Sequence, residues 1–381
     1  VRLHIATLLT AFALAGTATA APIRVGILKG NGSTEAGWSY HHSATNVIQS
    51  ILANPDTSLL GTNFVVPTSG FQFKQFPATG NTYLLSVELR SEFVTNLDSF
   101  DVVIFLNNYR PDAVIPDQVS RHEISEYLKH KGAVSIYLSA AMSSNTWPAW
   151  DSLHGTRFSN FNIARQGTIR LDSLAKTESA WRFLNKGLSD TVRLTEYWPF
   201  FTSSGDSIRS LKGLKTTLNL NEGSLEGGLG GMPPMGDHPI SWYREFETGG
   251  RLFYSGLGYR IQGYTGTDVG AKFIRRQLYN AILWAAGVDS NGVVSVRDRA
   301  SKNVSKFSDA PRIALNGGAL SVSILQDGVH RIELKGLDGR RMALRKGTGK
   351  MDHTFTGLHS GVQLVVVTTT AGRQTRRVVI P

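Results

Sequence analysis

The sequence predicts an α/β protein, a doubly wound and mostly parallel sheet followed by a small all-β antiparallel sandwich. Three observations carry this. Up to residue 138, short apolar β runs alternate with amphipathic helical stretches. The run Phe100-Asp-Val-Val-Ile-Phe-Leu106 is apolar on both faces, as in a strand covered by helices on either side. From Ile313 onward the pattern becomes β segments joined by tight turns such as Leu337-Asp338-Gly339.

The elements follow in order. Ile23 to Leu28 reads as a strand entering the loop Gly30-Asn31-Gly32. Val47, Ile48, Ile51 and Leu52 recur at helical spacing and predict a helix from about Ser43 to Leu52. Phe100–Leu106 is the next strand, and a helix from about Asp117 to Lys131 ends at Gly132. Ala133 to Leu138 reads as another buried strand. Short β segments then appear around Gly167–Asp172, Val192–Thr195 and Lys215–Asn221. The glycine-rich stretch 223–236, with Pro233 and Pro234, suits a surface loop, either a connector or a lid. Asp237 to Tyr259 reads as strand, Gly turn, strand and exposed loop, and the helix after it ends at Leu283-Trp-Ala-Ala-Gly287. Domain boundaries follow: a leader over 1–21, an α/β domain over 22–287, a polar linker over 288–310 and a β-sandwich over 311–381.

Composition narrows the function classes. Arg2, the apolar stretch Ile5–Leu14 and Ala18-Thr19-Ala20 form a secretory leader pattern, so a secreted or cell-surface location via the periplasm is expected. The chain has no cysteine, which removes thiol catalysis, Cys-bound zinc and disulfide stapling. No run of eighteen apolar residues occurs, so no transmembrane segment is expected. The net charge is +11, but residues 291–381 carry 15 Lys plus Arg against 6 Asp plus Glu. The charge therefore sits in the tail, without interleaved aromatics, and no nucleic-acid partner is expected.

Open α/β sheets place ligands beyond the carboxyl ends of their strands. This chain puts Asn31, Trp38, His41 and His42 after the first strand and Asn107 after the Phe100–Leu106 strand. Tyr137, Ser139, Trp147 and Trp150 follow the next one, and Tyr259 follows the last. Rings with polar tips suit sugars, which present C–H faces and hydroxyl edges. Glu196 is the one carboxylate expected to reach this crevice. Two adjacent histidines with no acidic cluster do not make a metal site, so neither metal nor cofactor is expected.

These residues also carry a resemblance to the ThuA-like (trehalose-utilisation) family of the class I glutamine-amidotransferase-like fold. Trp38-Ser-Tyr-His-His-Ser43 resembles the family's aromatic-x-His-x-Ser loop, matching its histidine to His41. Trp147-Pro148-Ala149-Trp150 with Gly155 and Phe158 resembles a Trp-Pro-x-Tyr…Gly…Phe element, and Thr195-Glu196-Tyr197-Trp198 an Asp-Glu-Trp-Tyr element. Ser135-Ile-Tyr-Leu138 stands where the family reads Gly-Ile-His-Ala, and Leu257-Gly258-Tyr259 where it reads Leu-Gly-His. Tyrosine thus replaces histidine twice. A phenol titrating near 10 is a hydrogen-bonding group rather than a neutral-pH base or metal ligand.

The resemblance implies a flavodoxin-like fold and a role in disaccharide or glycan utilisation. Glutaminase activity, which the fold's relatives perform with a cysteine, is excluded here. The tail resembles type IX (Por) secretion sorting domains in Leu337-Asp-Gly-Arg340, Gly357-Leu358…Ser360-Gly361 and the strand Arg376–Ile380, implying contact with secretion machinery. The reading is therefore an exported carbohydrate-binding protein, with Asn31, Trp38, His42, Asn107, Tyr137, Ser139, Trp147, Trp150 and Tyr259 as ligand contacts. Two alternatives stay open. One is an active sugar-modifying or glycoside-hydrolysing enzyme using His41 and Glu196. The other is a non-catalytic structural surface protein.

Overall fold

Four strands come first, β1 (Ile23–Lys29), β2 (Phe71–Phe76), β3 (Val102–Leu106) and β4 (Gly132–Ile136), with helices α1 (Tyr40–Ala53), α2 (Thr57–Leu60) and α3 (Gln118–His130) between them. A long insertion follows: α4 (Pro148–His154), β5 (Phe158–Phe161), β6 (Arg165–Leu171), α5 (Ser179–Leu184), β7 (Thr191–Glu196), β8 (Pro199–Phe201), α6 (Gly205–Arg209) and β9 (Leu214–Asn221). The hairpin β10 (Pro239–Glu245) and β11 (Arg251–Ser255) then returns to the sheet, and α7 (Gln262–Thr265) and α8 (Val269–Ala285) cover it. This computed structural model describes residues 21–29, 40–76, 92–94, 96–106, 115, 118–140, 147–293, 311–316, 319–325, 327–336, 340–369 and 372–380.

Nine strands form one sheet in the order β2-β1-β3-β4-β11-β10-β9-β6-β7. The first five pair in parallel, and their order is that of flavodoxin-like sheets, with the switch point between β1 and β3. From β11 outward every ladder is antiparallel. The expectation of a mostly parallel sheet holds for strand direction, which β10 and β6 alone reverse. It does not foresee that the insertion extends the same sheet by three strands, β9, β6 and β7.

Alternation along β1 and β3 divides the core. Ile23, Val25, Ile27, Val102, Ile104 and Leu106 face α1 and α8. Leu28, Val103 and Phe105 face α3 and α4. Helices on both faces force both strand faces to be apolar, which is why Val102–Leu106 is buried throughout.

Three expected boundaries change. The strand expected over 133–138 ends at Ile136, because Tyr137 takes a φ of 47° and the chain turns into a 3₁₀ segment. The expected linker begins later than 288. Val288 is buried, and the Thr68 N–H donates to the Gly292 carbonyl at 2.9 Å, so the chain stays on the domain to 293. The glycine-rich loop 223–236 is no lid over the strand ends. Its Leu229, Met232 and Met235 pack on the antiparallel half, and the Glu222 carboxylate accepts the Met235 and Gly236 N–H groups.

The tail holds β12 (Arg312–Asn316), β13 (Ala319–Ile324), β14 (Val329–Gly336), β15 (Arg341–Thr348), β16 (Met351–Phe355), β17 (Gly361–Thr369) and β18 (Gly372–Ile380). They make two antiparallel sheets, β12-β13-β16 and β15-β14-β17-β18. Leu320 and Val322 from one share a core with Ile332, Leu334 and Val365 from the other. That is a small sandwich, with both expected hairpins in place.

Phe105 tests the covered face. Its ring meets Trp150 edge-on at 5.1 Å and Phe93 at 6.3 Å. Phe105→Ala is expected to cost about 3–5 kcal/mol, read as a shift in the denaturant midpoint with an unchanged slope.

Candidate functional site

The site is built where four parallel strands stop. Lys29, Leu106, Ile136 and Ser255 lie in one register across β1, β3, β4 and β11. One residue past Ile136, Tyr137 occupies the left-handed region. A bulky residue is held there only when its surroundings fix it. One such constraint is the Tyr254 phenol, which donates to the Tyr137 carbonyl at 3.0 Å.

Tyr137 starts a set of touching rings. Its centroid lies 4.7 Å from that of Tyr259, which lies 4.9 Å from Tyr197. Phe161 contacts all three, and Phe158 contacts Tyr137. Tyr137 and Tyr259 are buried, while Phe158, Phe161 and Tyr197 are partly exposed.

Glu196 ties the partly exposed rings to the buried ones. Its Oε1 accepts the Tyr197 N–H at 2.9 Å, and its Oε2 accepts the Gly258 N–H at 3.0 Å. The side chain is fully buried, and that desolvation pushes its carboxyl up to about 7 against the pull of these backbone donors. Gly258 has a φ of 94°, and a Cβ there would sit 2.6 Å from the Tyr264 hydroxyl. Only glycine fits this turn and presents its N–H to the carboxylate.

The antiparallel half reaches the site by curling. Glu196 ends β7, four strands from β11, roughly 19 Å along a flat sheet. Register shifts in the β9–β10 ladder at Pro239, Ser241 and Trp242 bend the sheet, and β7 packs on α8. Beside Glu196, a cavity of about 440 Å³ is lined by Gln166, Arg193, Thr195, Arg260, Gln262 and Asp268 among others.

The predicted contacts divide. Tyr137, Tyr259 and Glu196 come together. Asn31, Trp38 and Asn107 lie outside the described residues, as do the side chains of His41 and His42, whose backbone opens α1. Trp147 and Trp150 belong to the opposite face of the sheet. They are buried with Phe105 and α3, and their indole N–H groups donate to Ser125 Oγ (3.2 Å) and the Ser139 carbonyl (2.9 Å). The expected ligand contacts at Trp147 and Trp150 fail because the Pro148 helix start tucks both rings under α3. Ser139 is also buried, its hydroxyl donating to the Phe105 carbonyl at 2.6 Å, so it braces the sheet rather than facing the ring set.

One crevice residue escapes the sequence reading. Lys29 ends β1 at the switch point, on the same face as Ile27 and Tyr137, and is only 4% exposed. Its Nζ has no hydrogen-bond partner among the described residues, and burial lowers its proton affinity. A lysine closing an apolar strand is the signal that could have found it. His154 is buried too, with Nε2 2.8 Å from Ser135 Oγ, and burial lowers its pKa to about 4. It lies in the opposite core, and no carboxylate hydrogen-bonds its ring. Among the described residues no group of three His, Cys, Asp or Glu side chains could hold a metal ion, and no helix is long and apolar enough to cross a membrane.

Comparison with known proteins fits this frame. No curated protein matches the chain. A ThuA-like protein from Bacteroides uniformis has a similar structure, with TM-score 0.52 and 18% identity over 71% of this chain and 94% of that one. The glutaminase domain of Trypanosoma brucei CTPS with bound acivicin aligns over 70% of this chain and 94% of that one, with TM-score 0.39 and 9% identity. Residues 32–285 match the family described as ThuA, trehalose utilisation. This chain, with its strand-end tyrosines, belongs to the ThuA family.

Proposed function

We propose that the chain is an exported, surface-held carbohydrate-binding protein of sugar utilisation, and that its ligand sits beyond the ends of β1, β3, β4 and β11. The observation that carries this is the ring set of Tyr137, Tyr197, Tyr259, Phe158 and Phe161 gathered at that end of the sheet. Ring faces stack on sugar C–H faces, and phenol hydroxyls bond to sugar hydroxyls. The Lys29 amine supplies a donor at the switch point. Glu196 is the positioning residue that holds the loops bearing Tyr197 and Tyr259 together. The leader pattern and the antiparallel tail support export and surface attachment, with the tail as the contact for secretion machinery. Fractionation of cells expressing the chain with and without residues 311–381 tests this. The tail-less form is expected to leave the surface fraction.

Calorimetry after a glycan-array screen tests the site. Tyr259→Ala is expected to weaken the best hit at least tenfold, and an unchanged affinity rejects the site. Lys29→Met separates the amine's roles. Replacing a buried amine that has no hydrogen-bond partner among the described residues with an apolar chain is expected to raise the melting temperature while lowering sugar affinity. Raised stability with unaltered affinity removes Lys29 from the site.

Glu196 favours one second reading. A carboxyl near 7 can give or take a proton at neutral pH, which suits a general acid–base. In that reading His41 is its partner, and both Glu196→Gln and His41→Ala abolish turnover. Binding without turnover in the parent protein rejects it. The same shift sets a stability trend. The folded carboxyl binds its proton more tightly than the unfolded one, so its contribution is fully present below about 4.5 and declines as pH rises through about 7. That loss amounts to at most about 3 kcal/mol. Melting curves between pH 5 and 8 are expected to show a shallower decline in Glu196→Gln than in the parent.

A further inference from the structure

The tail brings together three side chains that no part of the sugar site uses. His330 on β14 and His353 on β16 are both buried, and their Nε2 atoms lie 2.7 Å apart. The ring centroids are 4.9 Å apart, so the two nitrogens point almost head to head. Met351 shares the face of β16 that carries His353, two residues away.

Gly347, the cross-strand partner of His330, lies between them. A Cβ at Gly347 would be 2.5 Å from both His330 Nε2 and the Met351 Sδ. The sulfur is therefore within about 5 Å of that nitrogen, and any larger residue at 347 would fill the space between them. His330 Nδ1 is buried with no hydrogen-bond partner among the described residues. Met351 is 42% exposed, which leaves an entry path.

We propose that His330, His353 and Met351 form a copper(I) site on the β-sandwich. Two imidazole nitrogens and a thioether, with no carboxylate or thiolate among the three, are a soft donor set. Such sets suit Cu(I) and are poor for Mg²⁺, Ca²⁺ or Mn²⁺. In the ion-free pair one Nε2–H donates to the other Nε2; when the ion takes that place, the proton passes through solvent to the Nδ1 of the same ring, so both imidazoles stay neutral. Metal–nitrogen bonds of about 2.0 Å require the pair to open by about 1 Å or less. The two histidines come from different sheets, so the ion would cross-link the sandwich.

The test uses the full chain, ascorbate-reduced copper without oxygen, and bicinchoninate as competing chelator. The parent protein is expected to withdraw one equivalent of Cu(I). Copper X-ray absorption is expected to show nitrogen and sulfur ligands. His353→Phe should lose that equivalent. Met351→Leu, a conservative change on an exposed side chain, should weaken it at least tenfold and remove the sulfur signal. Circular dichroism confirms that the variants keep their β structure. No withdrawal by the parent overturns the proposal. So does equal withdrawal by Met351→Leu, which marks copper bound elsewhere, or Zn(II) held more tightly than Cu(I).

Discussion

The candidate site depends on the curl of the antiparallel half of the sheet. Without the irregular β9–β10 ladder, the end of β7 would lie far from the loop after β11. With it, one carboxylate crosses from the sheet's edge to its centre and accepts backbone donors from Tyr197 and Gly258. A buried carboxylate costs free energy unless its oxygens are satisfied, and each oxygen here takes a backbone N–H. The balance between those donors and desolvation leaves Glu196 titrating near 7. The same contact fixes the rings. Tyr197 follows Glu196 directly, and Tyr259 follows Gly258, so their 4.9 Å separation depends on the carboxylate between them.

Much of the architecture was legible in the chain because the parallel strands are apolar on both faces and the helices between them are periodic. β3, α3, β4 and the β10–β11 hairpin could be read locally. The antiparallel extension could not. β6, β7 and β9 show only short β segments, and their common membership of the central sheet is set by pairings 21 to 53 residues apart. Phe71–Phe76 was missed for a related reason. It is an edge strand with Gln72, Lys74 and Gln75 interleaved, paired along one side only, to β1.

Of the candidate site, the clustering of some residues was legible and that of others was not. Tyr137, Tyr259 and Glu196 were found because strand ends could be located from the pattern. Trp147 and Trp150 were misplaced, since an aromatic after a strand can turn to either side of the sheet. Only the tertiary position of α3 decides between them. Lys29 was overlooked because a terminal lysine on an apolar strand ordinarily snorkels to water. Here its Nζ stays buried at the switch point, where a fold of this order places its ligand.

Tyr137 shows why fold likeness and chemistry separate in this protein. The sharp, left-handed turn after β4 aims one side chain, the buried Tyr137, into the ring set. Tyr254 braces that turn, and the residue it carries is a phenol. A phenol at neutral pH neither attacks a carbonyl readily nor exchanges protons near 7. It can donate one hydrogen bond and offer a ring face. The strain at this position therefore gives orientation without nucleophilicity. If protons move beside these rings, the described residue suited to move them near neutral pH is Glu196, whose carboxylate accepts the Tyr197 and Gly258 N–H groups.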